Sequence, residues 1–113
     1  MALALNVFKT VTKVATTSSV GIYTAPTGYS GVVLLAQAAN TDGNSHVVNF
    51  AHKRSKAGIA VTTELLSNYP IQGYDTVSLL QGKLILQSTD ALVLSADNSS
   101  SVKVVISILE TLN

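Results

Sequence analysis

The sequence predicts an all-β protein: one antiparallel β-sandwich, jelly-roll-like, of about nine strands, with residues 1–113 forming a single domain. Three observations predict it. Turn-forming clusters recur at short, even intervals: "TTSS" at 16–19, "APTG" at 25–28, "NTDGNS" at 40–45, "KRSKAG" at 53–58, "PIQG" at 70–73, "QG" at 81–82, "STD" at 88–90 and "DNSSS" at 97–101. The runs between them are rich in Val, Ile, Leu, Thr and Tyr, which suit a pleated, half-buried surface. No window carries a convincing helical period; "TTELLSNY" at 62–69 comes nearest and is short and close to Pro70.

Taken in order, strands are expected near 4–14, 20–24, 31–39, 46–53, 59–68, 74–80, 83–87, 91–96 and 102–110. In the first, Phe8 is expected in the core, with Phe50. Thr24, Pro26 and Gly28 punctuate the turn after the second. The third is apolar on both alternating faces, with Val33, Leu35 and Gln37 on one and Val32, Leu34, Ala36 and Ala38 on the other. Asp42-Gly43 reads as a hairpin turn, and Gln81-Gly82 as a tighter one. Leu84 and Leu86, then Leu92 and Leu94, share a face and should point inward. In the last strand Val102, Val104, Ile106 and Ile108 take one face, and Lys103, Val105, Ser107 and Leu109 the other.

An antiparallel strand with one side in water should alternate between apolar and polar residues. The strands at 31–39 and 102–110 do not. Either another part of the chain, such as the N-terminal strand, covers their outer faces, or a neighbouring subunit does. The composition favours the subunit: 47 % of residues are hydrophobic and only 12 % are charged, about half the usual share of roughly 25 %. Leu35, Gln37, Val105 and Leu109 are therefore candidate subunit contacts, and a homo-oligomer is expected.

The bulk numbers also exclude chemistry. A net charge of +1 gives no global pull toward nucleic acid or anionic lipid. There is no cysteine, so disulfides and thiolate catalysis are out. "MALALNVFKT" lacks the basic start and the apolar length of a signal peptide, and no run reaches the ~18 apolar residues of a membrane helix. These features lead us to expect a soluble protein made in the cytoplasm.

Candidate sites are few. His46 and His52 share a face of a regular strand, but no third ligand stands at metal-site spacing, so both read as structural histidines. "GYSG" at 28–31 departs from the G-x-S-x-G elbow of hydrolases, because glycine follows Ser30 directly and a strand comes next. Asp42, Asp75, Asp90 and Asp97 all lie in or beside turns, where a carboxylate bonds the local backbone. The seven glycines are scattered, with no phosphate-binding loop. The sequon "NSS" at 98–100 matters only in a secretory pathway. "HKRSK" at 52–56 is the one charge cluster; Lys53, Arg54 and Lys56 form a candidate docking loop for a partner surface. Without interleaved aromatics the trio does not point to nucleic acid. Neither an enzyme nor a cofactor is expected.

Several blocks carry a resemblance. These are "IYTAPTGYSGVVLLAQAAN" at 22–40, the "HVVNF" strand at 46–50, "LLSNYPIQGYDTVSLLQGKLILQSTD" at 65–90 and "VKVVISILETLN" at 102–113. With their Y-T-A-P-x-G turn, P-I-x-x-x-D turn and G-K-L-x-L-x-x-x-D hairpin, they make the chain similar to small virion structural proteins of tailed phages, especially contractile-tailed phages of cyanobacteria. These are turn and core signatures spread over nearly the whole chain. The resemblance implies a non-enzymatic particle component: a capsid decoration (cement) protein or a head, neck or tail accessory, located in the virion, with capsid or tail subunits as partners. The alternative is a carbohydrate- or receptor-binding module of a fibre or baseplate. Such a module needs exposed aromatics, for which Tyr23, Tyr29, Tyr69 and Tyr74 are the available side chains.

Overall fold

A computed structural model describes residues 5–112. Nine strands follow one another: β1 (Asn6–Val14), β2 (Val20–Thr24), β3 (Tyr29–Asn40), β4 (His46–Lys56), β5 (Ile59–Ile71), β6 (Thr76–Ser78), β7 (Leu84–Leu86), β8 (Ala91–Ala96) and β9 (Val102–Leu112). No helix occurs among the described residues. The strands form two antiparallel sheets, one ordered β1-β9-β3-β6 with β7 also on β3, the other ordered β2-β8-β4-β5.

β6 and β7 both run antiparallel to β3, β6 opposite Gln37–Ala39 and β7 opposite Gly31–Val33. They are thus two segments of one interrupted strand on the β3 edge. Counted so, each sheet has four strands, and consecutive strands alternate between sheets except for β4 and β5. That order is the double-sheet jelly roll.

This topology corrects two expectations. Asp42-Gly43 is not a hairpin turn, because β3 and β4 lie in different sheets; residues 41–45 arch from one sheet to the other. Gln81-Gly82 is not one either, since β7 continues in the direction of β6. Turn residues mark where a chain leaves a strand, and they cannot show which strand it joins next. Among the described residues the one hairpin between consecutive strands is β4–β5, whose turn places Ala57 at φ 53° and Gly58 at φ 77°, the paired left-handed conformation of a type I′ turn.

The inner faces meet in a core of Val33, Ala36, Ala38, Val48, Phe50, Ile71, Leu79, Leu86, Leu92, Leu94, Ala96, Val102, Val104, Ile106 and Ile108, all buried. The inward sides expected for β8 and β9 are observed, as is that of Leu86, with Leu84 packed against the core. In β3 a bulge changes the pattern: Val33 pairs with Ile108 but Leu35 pairs with the next residue, Ser107. One extra residue shifts the alternation by one. Val33 therefore joins Ala36 and Ala38 inside, while Val32 joins Leu35 and Gln37 outside. Strict alternation had grouped them otherwise.

Phe8 is also corrected. It is 75 % exposed: it pairs with Leu109 on the outward side of β9, while its neighbour Val7 pairs with the buried Glu110.

The turns at one end of the sandwich are fastened together. Asn40, 2 % exposed, donates from Nδ2 to the carbonyls of Asn44 and Ile71 at 2.7 and 3.0 Å and accepts the Asp42 amide at 3.0 Å. Gly73 lies so near that a Cβ there would stand 2.2 Å from the Gly43 carbonyl oxygen, so no side chain fits.

Candidate interaction surfaces

The outer face of the β1-β9-β3-β6/β7 sheet is set by register. Phe8 stands opposite Leu109, Leu109 opposite Val32, and Val32 opposite Ile85. These four residues form an apolar row across the full width of the sheet. Phe8 and Ile85 are the exposed ends, at 75 % and 62 %; Leu109 and Val32 between them are partly shielded by their neighbours. Next along β3 come Leu34 and Leu35 at the bulge, both exposed, and then Gln37, directly opposite Val105. Toward the β3–β4 arch the face dips into a shallow open trough lined by Thr12, Val14, Gln37, Ala39, Lys103 and Val105.

All four candidate contacts, Leu35, Gln37, Val105 and Leu109, thus lie on one surface. β1 does not cover it; β1 extends the sheet alongside β9. Sequence reading missed Phe8, Val32 and Ile85. The signal for Ile85 was present, because a residue between two inward leucines must point outward.

The second surface is an arm. β4 pairs with β8 only from Val48 to Lys53, whereas its pairing with β5 runs on to Lys56 opposite Ile59. Beyond β8 the hairpin is therefore two-stranded, and it exposes Ile59 and Val61. The basic trio lies on strand β4 rather than in a loop. Lys53 is exposed. Arg54 is not free: Nε and Nη2 donate to the Asp90 carboxylate at 2.8–3.2 Å.

Asp90 is the most enclosed charge described, its side chain only 1 % exposed. It also accepts from His52 Nε2 at 3.1 Å and from the Gln87 amide at 2.9 Å. Burial alone would raise its pKa, but the Arg54, Gln87 and His52 hydrogen bonds outweigh it and hold the carboxyl down at about 2. Around Asp90 the backbone is tied as well, with Ala25 donating to the Asp90 carbonyl and Thr89 to the Ala25 carbonyl, both at 2.9 Å. The cluster fastens the root of the arm to the β2–β3 and β7–β8 turns.

At the opposite end, His46 reaches Asp42 with Nε2 at 2.8 Å and Asp97 with Nδ1 at 2.9 Å. Both ring nitrogens face carboxylates, which accept only, so the imidazolium form satisfies both. The Asp42 hydrogen bond, foremost, and the Asp97 carboxylate raise the His46 pKa against the opposing effect of burial. The His46 bond in turn lowers the pKa of Asp42. Two further buried or half-buried groups pair with each other: Tyr23 donates its hydroxyl to Glu110, which also meets Lys9 at 3.3 Å. Burial first, and then Glu110, push the Tyr23 phenol well above its usual range.

These ionisable clusters join turns and strands of the sandwich. Among the described residues no three His, Asp or Glu side chains converge as a metal site, and no helix is long and apolar enough to cross a membrane.

No family model and no curated protein matches the chain. Solved structures do. Over 97 % of its length the chain aligns with a chain of the T13 viral particle of infectious bursal disease virus, at 8 % identity and a TM-score of 0.60, spanning 32 % of that chain. A chain of the Gt strain of the same virus aligns at 10 % identity and a TM-score of 0.50, over 97 % of this chain and 31 % of that one. The capsid of Helicobacter pylori bacteriophage KHP30, described as acid-stable, supplies a match at 10 % identity and a TM-score of 0.51, over 96 % of this chain and 89 % of that one. The chain thus spans about a third of the bursal disease virus chains it matches and most of the phage chain. What these matches share with it is the fold.

Proposed function

We propose that this chain is a non-enzymatic structural protein of a virion. The observation that carries the reading is the jelly-roll strand order, matched over nearly the whole chain by subunits of viral particles, a phage capsid of similar chain length among them. The sequence blocks quoted above support a tailed phage as the source, and within it a capsid decoration protein or a head, neck or tail accessory. The protein would be made in the host cytoplasm and end in the particle. Its outer sheet face takes a neighbouring subunit, and its basic arm docks at the rim of another.

A sugar- or receptor-binding role has less behind it. Tyr23 is tied to Glu110 and Tyr29 is half-buried, so Tyr69 and Tyr74 are left as exposed rings. Two tyrosines make a thin stacking platform.

The test is co-purification. Particles banded on a density gradient from cells that express the gene should contain the chain at a fixed ratio to the major capsid protein, measured by quantitative mass spectrometry. A chain recovered only in the soluble fractions would overturn the reading.

A further inference from the structure

We infer that the partner on the outer sheet face is a second copy of this chain, packed face to face about a two-fold axis that runs parallel to the strands between β9 and β3. The inference rests on the reading that a subunit covers this face, and it names that subunit.

The first ground is the symmetry of the row. Across the sheet it reads Phe8, Leu109, Val32, Ile85, on β1, β9, β3 and β7. A two-fold axis in the plane of contact, parallel to the strands and centred between β9 and β3, turns the sheet over and exchanges its two edges. Phe8 then meets Ile85 of the other copy, and Leu109 meets Val32. An isologous contact requires a patch that complements itself in this way. The same operation sets Val105 over Gln37 and Ser107 over Leu35, because those pairs also lie side by side on β9 and β3.

The second ground is charge. Among the residues whose register places them on this face, Lys103 is the single charged one, and it sits at the arch end where water reaches it. The face otherwise presents apolar residues with Thr, Ser, Asn and Gln. A surface almost without charge can meet its own copy without like-charge repulsion, whereas a surface built for an oppositely charged partner would carry complementary charges.

The third ground is area. Four strands about 4.8 Å apart and about 3.4 Å per residue along β9 give a face of roughly 700 Å². That is close to the roughly 800 Å² per partner of a standard interface. A two-fold axis along the row instead would overlap only the end of the face near Phe8 and cover less.

The test is sedimentation of the purified full chain, followed by cross-linking. The parent should sediment as a dimer, at twice the monomer mass of 11.8 kDa. Phe8→Asp and Ile85→Asp replace exposed side chains, so each variant should keep the parent's circular dichroism while its dimer dissociation constant rises at least tenfold. The absence of native cysteine makes the geometry readable. Phe8 and Ile85 of one copy are three strand spacings apart, about 14 Å, whereas Phe8 and the Ile85 it faces on the other copy are separated by the sheet-to-sheet spacing of about 10 Å. A thiol cross-linker matched to the spacing of about 10 Å between facing sheets should therefore join the Phe8→Cys/Ile85→Cys double variant into dimers, and neither single variant should be joined. A monomeric parent at every concentration overturns the inference; if that chain still co-purifies with particles, a different subunit covers the face and the virion reading stands. A dimer that both aspartate variants leave intact also overturns it. So does cross-linking of Phe8→Cys alone, which would require a different axis.

Discussion

Arg54 and Asp90, 36 residues apart, share three short nitrogen–oxygen contacts across the root of the β4–β5 arm. The carboxylate is enclosed and the guanidinium is partly in water. The pair therefore joins a projecting hairpin to the body of the sandwich, and Arg54 holds the arm as well as adding charge to it.

Removing Arg54 should for that reason destabilise the fold. With Arg54→Ala, Asp90 keeps His52 and the Gln87 amide but loses its strongest donor. Hydrogen bonds to an enclosed charge are stronger than neutral ones, so a lower urea midpoint is expected. Asp90→Asn should cost a similar amount. The Asp90 pKa is lowered in the folded state to about 2, against an unfolded value near 3.9. Its stabilisation is thus fully present above about pH 4 and is lost as the pH falls toward 2. The gap in urea midpoint between the parent and Asp90→Asn should close over that window.

The proposed docking by the arm would then fall to Lys53 and to Lys56, whose side chain lies outside the described part of the structure. The Lys53→Ala/Lys56→Ala double variant should keep the parent's melt and bind particles depleted of this chain more slowly at low salt, since rim charges act mainly on encounter rates. Equal binding rates at every salt concentration would show the arm to be a solvated tip.

The bulge in β3 makes neighbouring apolar residues behave in opposite ways. Val33 is fully buried and Leu35 is 45 % exposed. Val33→Ala should lower stability by about 2 kcal/mol through lost burial and a cavity, while Leu35→Ala should change it by less than about 0.5 kcal/mol. Leu35→Lys and Leu109→Lys should fold and fail to assemble, as seen by sedimentation. If both variants unfold, those side chains serve the protomer and the face is not a contact.

His46 makes the opposite end sensitive to alkali. Its pKa is raised in the folded state, so its contribution is complete below the unfolded value of about 6.5 and is lost as the pH rises through the folded one. Amide exchange of residues 40–45 and 97–101, corrected for the intrinsic rate, should quicken over that range. In His46→Gln the same amides should show no such pH dependence.

Much of this architecture is determined by the sequence alone. Turn residues at short intervals and β-branched runs between them marked nine strands, and period-two alternation set the inward faces of β7, β8 and β9. These are local properties, decided by φ preferences and by which side chains can share a pleat. The double apolarity of β3 and β9 was equally legible, and the fold places those residues on both faces of one sheet.

Tertiary structure decided what local rules cannot. Asp42-Gly43 and Gln81-Gly82 are good turn formers, yet one became an arch between sheets and the other a break in a single strand, because a jelly roll sends most consecutive strands to opposite sheets. Alternation failed in β3 because one bulged residue inverts every position after it. Phe8 looked like core by hydrophobicity and lies outside because its register against β9 puts Val7 opposite Glu110. Arg54 looked like a free charge until the fold brought Asp90, far along the chain, beneath it. Strand partners, register and ion pairs over such separations depend on the packing of the whole chain, since no local preference reports what lies across a sheet.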